Sequence, residues 1–172
     1  SYNMAIKIKP DYVQAYDNLI LALSDINNID GLIEACNGVI KIKPDHAVAY
    51  YSIGVALAGR GDFDAAIESY KQAIKLKPDY LFSYNNMGNA LKAKGDLDGA
   101  LDSFKQAIKI KPDYFGAHYN MGNILRQRGE FDAALDSYKQ AIKIKPDYAE
   151  AYYNMGLIFI NKDDPEAVIE SF

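Results

Sequence analysis

Prolines stand at 10, 44, 78, 112 and 146, each 34 residues after the one before, and each sits in nearly the same phrase: KIKPDY, KIKPDH, KLKPDY, KIKPDY, KIKPDY. A chain that repeats itself at such a period has no single central core. It stacks copies of a short unit, each of which buries its apolar face against its neighbours. Counting so that the proline is the thirty-second residue, complete windows run 13–46, 47–80, 81–114 and 115–148, with partial windows 1–12 and 149–172. The expectation is one continuous array over 1–172, beginning and ending inside a second helix. The missing initial Met fits a segment of a longer polypeptide.

Each window holds two stretches in which apolar and small residues recur at helical spacing, separated by a short turn such as Arg128-Gly129-Glu130. Gly61, Gly95 and Gly129 follow the first stretch, where a left-handed residue ends a helix at little steric cost. Asp62, Asp96, Glu130 and Asp164 come next as N-caps of the second helix, and Pro165 suits its first turn. The paired lysines of each KIKP or KLKP phrase fall at the end of that helix, where positive charge is favoured, and read as a solvated rim.

These features resemble the tetratricopeptide repeat. That family's pattern has a large residue fourth, an apolar-small pair seventh and eighth, and small residues twentieth and twenty-seventh. Tyr50, Ile53-Gly54, Leu57, Ala66, Tyr70, Ala73 and Pro78 fill it in one window; Tyr84, Met87-Gly88, Leu91, Ala100, Phe104, Ala107 and Pro112 in the next; His118, Met121-Gly122, Leu125, Ala134, Tyr138, Ala141 and Pro146 in the third. The resemblance implies an all-α fold, a right-handed α-solenoid of antiparallel helix pairs. Window 13–46 departs from the pattern: Ile20 replaces the glycine, Leu32 and Val39 replace alanines, and Cys36 replaces the aromatic. Packing there must be rearranged, and the interior Gly38 predicts local softness or a small change in superhelix angle, since such a glycine costs about 1 kcal/mol relative to alanine. Cys36 reads as a small buried hydrophobe.

In the family, the first helices line a concave groove, towards which the second, fifth, sixth, ninth, twelfth and thirteenth residues point. The sixth residues here are Asn18, Ser52, Asn86, Asn120 and Asn154. Asparagine is a poor helix-interior residue because its side chain competes for the backbone, so its return on one face suggests a reason. An amide with donors and an acceptor can pair with a peptide main chain whatever its side chains. The row is similar to that of O-linked N-acetylglucosamine transferase repeats and fails at Ser52. Bonding between neighbouring repeats is the other reading, and both can hold. Asn89 and Asn123 add amides one turn on, Tyr51, Tyr119 and Tyr153 offer flat contact surface, and Lys92 and Arg126 supply positive charge, with Asp17, Asp25 and Glu150 towards the ends. That arrangement suits a ligand with an acidic middle. The family's other mode, a clamp on a C-terminal carboxylate, needs basic second, fifth and sixth residues, and Gln14, Val48, Phe82, Gly116 and Glu150 stand second here.

A net charge of -4 argues against a nucleic-acid partner. No apolar run approaches a membrane span, so no membrane partner is expected. A single cysteine and two histidines, His46 and His118, give no metal-ligand spacing, and no phosphate-cradling glycine motif occurs. Neither cofactor nor metal is expected. His118, in a packing slot, reads as a core or inter-repeat histidine. Carboxylates at repeated cap and surface positions single out no acid/base pair. The expectation is a non-enzymatic, cytoplasmic interaction protein binding an extended protein or peptide segment. The alternatives are a homo-oligomer stacked end to end through open repeat ends, and the substrate-presenting arm of a larger transferase.

Overall fold

A computed structural model describes residues 2–26 and 28–161. Among them lie ten helices and no strand: α1 (Tyr2–Ile8), α2 (Val13–Asp25), α3 (Ile29–Ile42), α4 (Ala47–Gly59), α5 (Phe63–Leu76), α6 (Leu81–Ala93), α7 (Leu97–Ile110), α8 (Phe115–Gln127), α9 (Phe131–Ile144) and α10 (Ala149–Asn161). α2, α4, α6, α8 and α10 are first helices of their windows; the others are second helices. The chain forms two compact units, 1–94 and 95–172, dividing at the Gly95 turn inside window 81–114. In the first unit α1 packs on α2, α2 on α3, α3 on α4, α4 on α5 and α5 on α6. In the second, α7 packs on α8, α8 on α9 and α9 on α10.

The turn chemistry follows the backbone requirement. Gly61, Gly95 and Gly129 adopt φ of 82°, 85° and 77°, values that cost a side-chain-bearing residue strain. Asp62 accepts from the Ala65 amide at 3.3 Å and Asp96 from the Gly99 amide at 2.9 Å, so both cap as expected. Glu130 occupies the cap position with no side-chain bond to the helix amides. Its carboxylate, one methylene further out, meets Arg128 Nε at 2.6 Å instead. The cap expected at Asp164 with Pro165 lies outside the described residues. Two caps escaped the repeat pattern: Asn28 on α3, at 3.0 Å from the Gly31 amide, and His46 Nδ1 on α4, at 3.2 Å from the Ala49 amide. The second lysine of the phrase also does more than line a rim. Lys77 Nζ lies 5.2 Å from the Tyr80 ring centre, and Lys145 Nζ lies 5.1 and 5.2 Å from those of Phe115 and Tyr148.

Packing within a unit turns on one socket. A methyl group added at Gly54 would come within 2.6 Å of the Tyr70 ring, and one at Gly122 within 2.7 Å of Tyr138. The bare helix backbone on α4 or α8 thus receives an aromatic from the helix that follows. Both rings are essentially sealed from solvent. In window 13–46 the volumes are exchanged: Ile20 fills the glycine place, and the small Cys36 opposite it is fully buried. The interior Gly38 has a packing reason, since a methyl group there would stand 2.4 Å from Tyr16. An aromatic on the first helix meets a glycine on the second, the reverse of windows 47–80 and 115–148.

Candidate functional site

The first-helix face is built from the residues fifth, sixth and ninth in each window. In the first unit Tyr51 on α4 stacks on Tyr70 of α5 and on Tyr80, with ring centres 6.1 and 5.0 Å away. Asn86 on α6 donates its amide to Tyr51 Oη at 3.1 Å and accepts from Asn85 Nδ2 at 3.2 Å. One turn on, Asn89 is exposed and its amide bonds no described residue. Between them Asn86, Asn89, Val55, Ala58, Phe63 and Tyr70 line a recess of about 230 Å³. Burial pushes the Tyr70 hydroxyl well above the ordinary phenol range, with the neighbouring Tyr51 adding to the shift. Tyr70 is a packing residue there.

The second unit repeats the arrangement 68 residues on. Tyr119 packs against Tyr138 and Tyr148, with ring centres at 5.9 and 4.9 Å. Asn154 on α10 donates both amide hydrogens, to Tyr119 Oη and Asn123 Oδ1, each at 3.1 Å. Asn123 Oδ1 also accepts the Tyr138 hydroxyl at 2.8 Å. Burial raises that hydroxyl to about 12, while the adjacent Arg126 guanidinium pulls the other way. Arg126 Nε is sealed from solvent and has no hydrogen-bond partner among the described residues.

The sequence-derived residues thus separate into two kinds. Asn86, Asn123, Asn154, Tyr51 and Tyr119 join one repeat to the next, through bonds that span 35 residues in two cases. Asn120 is half-buried with bonding of its own. Asn18, Asn89 and Tyr153 stand exposed on α2, α6 and α10, and Lys92 and Arg126 are half-buried on α6 and α8. The signal for inter-repeat bonding was visible in advance: each bonded tyrosine is fifth in its window, and the asparagine that reaches it is sixth in the next.

What the asparagine row did not flag is apolar. Leu21, Val48, Val55 and Phe82, second or ninth in their windows, are 65%, 50%, 42% and 50% exposed on the first helices of the first unit. Their register could have revealed them. A series of ion pairs also went unread: Arg60 with Asp30 at 2.7 Å, Lys94 with Asp64, and Arg128 with Asp98 at 2.6 Å, each pair 30 residues apart. These pairs are exposed, so each adds little to stability. A larger recess, about 1050 Å³, lies against α1, α2 and α3 and holds none of the asparagine row.

The remaining reactive side chains are structural. Cys36 is fully buried, and desolvation, with Asp17 adding, raises its thiol to about 12, so the nucleophilic thiolate is suppressed. His46 Nε2 lies 3.4 Å from Asp17 while its Nδ1 caps α4. His118 Nε2 bonds the Pro112 carbonyl at 2.9 Å, and its Nδ1 is sealed with no partner among the described residues. Among the described residues no group of three or more His, Cys, Asp or Glu side chains could hold a metal ion, and no helix is long and apolar enough to cross a membrane.

A family model described as a TPR repeat matches residues 57–95, 88–125 and 122–163. No curated protein matches the chain. Among solved structures, MamA is 27% identical with a TM-score of 0.82 over 88% of each chain. MamA from Desulfovibrio magneticus RS-1 is 18% identical with a TM-score of 0.84, covering 93% of this chain and 90% of its own. YrrB, described as a TPR protein with an unusual peptide-binding site, is 20% identical with a TM-score of 0.80, covering 99% of this chain and 88% of its own.

Proposed function

This chain belongs to the tetratricopeptide repeat family, and on that premise we propose that it is a protein-interaction scaffold whose first-helix faces hold an extended peptide segment. One observation carries the reading. In the first unit the exposed apolar side chains Leu21, Val48, Val55 and Phe82 gather on first helices, and the uncommitted amide of Asn89 stands at the rim of a recess next to Val55. Apolar contacts supply affinity, and an amide with free donors and acceptor sets the register of a main chain. Asn89, one turn on from the row, is better placed for a ligand than Asn86 or Asn154, whose donors already join repeats. The peptide-binding site ascribed to YrrB is in keeping with this reading.

Selection of peptides from a display library, followed by affinity measurement on Asn89→Ala and Val55→Glu, tests it. Recovered peptides lose roughly tenfold or more against each variant, while helical circular dichroism is unchanged. Unaltered affinity for both variants refutes the assignment. A second reading, self-association, draws on α1, where Tyr2, Met4 and Ile8 are 44%, 56% and 78% exposed. Light scattering over a concentration series separates the two, and a strict monomer at high concentration removes the second.

A further inference from the structure

Charge is unevenly placed on the first helices of the first unit. α2 carries Asp17 and Asp25 and no cation, α4 carries no charged residue, and the single charge of α6 is Lys92. Asp17, Leu21 and Asp25 follow one another at four-residue steps and so form one stripe along α2, with the carboxylates about 12 Å apart at the helical rise. They are fifth, ninth and thirteenth in their window, in the groove register. Leu21, between them, is largely exposed.

Asp25 stands where the helix itself disfavours it. It is the last residue of α2, whose final turn has no basic residue, so its carboxylate meets the negative end of the helix. In the same turn α6 and α8 carry Lys92 and Arg126. The next residue departs too: Arg60, Lys94 and Arg128 stand fourteenth in their windows, and here that place holds Ile26, largely exposed. Among the described residues no cation pairs with Asp25. Asp17 is half-buried, and the imidazole beside it carries no charge, because His46 Nδ1 accepts the Ala49 amide at 3.2 Å and so bears no proton. This end of the unit therefore presents two uncancelled carboxylates around the apolar Leu21 and Ile26.

We propose that the α2 stripe docks a basic segment: an extended peptide whose neighbouring lysine or arginine side chains reach Asp17 and Asp25, with apolar residues beyond them over α4. The proposal rests on the peptide-scaffold reading and gives it a ligand class. Charge complementarity decides the occupant, and the shape of the basic side chains agrees with it. Their aliphatic stems lie along Leu21 and Ile26 while the charged heads reach the carboxylates. Successive side chains of an extended chain point to opposite sides, so a chain crossing α2 at Leu21 sends one basic residue towards each carboxylate. Leu23 and Ser24 of α2 share a recess of about 190 Å³ with Val55 and Gly59 of α4, which continues the surface onto the uncharged helix. Lys92 repels the basic end from α6, so the segment lies in one register only.

Terminally blocked peptide pools of random sequence provide the probe, with a fixed central pair of lysines, glutamines or glutamates. Each is presented to the wild-type chain, to Asp17→Asn, Asp25→Asn and their double variant, and to Asp79→Asn, which removes the same charge from an exposed turn of the same unit. Thermal melts confirm that each variant folds; Asp25→Asn should hold or raise the melting temperature, since it relieves the helix end. Wild type enriches the lysine pool roughly tenfold over the glutamine pool and disfavours the glutamate pool, and added salt narrows the margin. Each single groove variant loses part of that preference, the double variant loses all of it while still binding the glutamine pool, and Asp79→Asn keeps it. Should the lysine and glutamine pools bind wild type equally, the basic-segment assignment is overturned and the scaffold reading stands. Should no pool bind at all, both fall. If the double variant retains the preference, or Asp79→Asn loses as much of it, the attraction does not lie at Asp17 and Asp25 and the assignment is wrong.

Discussion

Replacing Ser83 with alanine should make this protein more stable. Ser83 is third in its window and fully buried, and its hydroxyl finds no hydrogen-bond partner among the described residues. The third residue of the other windows is alanine, Ala15, Ala49, Ala117 and Ala151, also buried. The orphaned hydroxyl has a local cause. Ser69, Ser103 and Ser137 lie mid-helix and bond the carbonyl four residues back at 2.9, 2.8 and 2.9 Å. Ser83 is the third residue of α6, so the carbonyl four back belongs to Asp79, ahead of the helix, where it accepts from the Leu81 amide. A buried, unbonded hydroxyl costs about 1–3 kcal/mol. Alanine also favours the helix by about 0.5 kcal/mol, while removing the oxygen forfeits its dispersion attraction to the surrounding atoms and offsets part of the gain. A net stabilisation of about 1 kcal/mol follows, equivalent to roughly 2–4 °C in melting temperature for a chain of this size. Urea unfolding followed by circular dichroism measures it, and because repeat arrays can unfold in parts, slower hydrogen exchange of α6 amides locates it. Ser137→Ala is the control, since it surrenders a made hydrogen bond. If Ser83→Ala destabilises the protein, or gains no more than Ser137→Ala, the account of the orphaned hydroxyl is wrong.

Two further outcomes follow from the packing. Ile20→Gly and Cys36→Tyr, which would restore the socket of windows 47–80 and 115–148, should each destabilise the first unit by about 2–4 kcal/mol, through a cavity and through overpacking respectively. The double variant should recover at least about 1.5 kcal/mol of the sum in a urea-unfolding cycle, and strict additivity would show that the two places are not one socket. The second outcome is alkaline. Burial raises the Cys36 thiol from 9.0 and the Tyr138 hydroxyl from 10.0, both to about 12, so the folded state favours their protonated forms. Their contribution to stability is complete below the ordinary values and is lost as pH climbs from those towards 12. Cys36→Ala should flatten that part of the decline in urea midpoint, and a thiol reagent at pH 8 should label wild type only on unfolding; ready labelling of the native chain counts against the buried thiol.

The family, the helix pairs and their turns were legible in the sequence because they rest on local chemistry repeated at a fixed spacing. A glycine with φ of 82° at Gly61 or a capping Asp62 needs only its own few neighbours. Window 13–46 announced its altered packing through Ile20 and Cys36, yet that Gly38 admits the Tyr16 ring is a matter of distance between two helices, invisible to a reading of helix propensity. The asparagine row shows the same boundary at the candidate site. Sequence placed Asn86 and Asn154 sixth, and Asn89 and Asn123 ninth, on first helices, and left open whether their amides serve a ligand or a neighbouring repeat. Tertiary structure decided that the donors of Asn86 and Asn154 go to tyrosines 35 residues away, that Asn89 is uncommitted, and that Arg126 alone of the arginines has no counter-charge among the described residues. Periodicity dictates where a side chain starts, and an amide or a guanidinium is committed only by which groups the packed helices bring within about 3 Å of it.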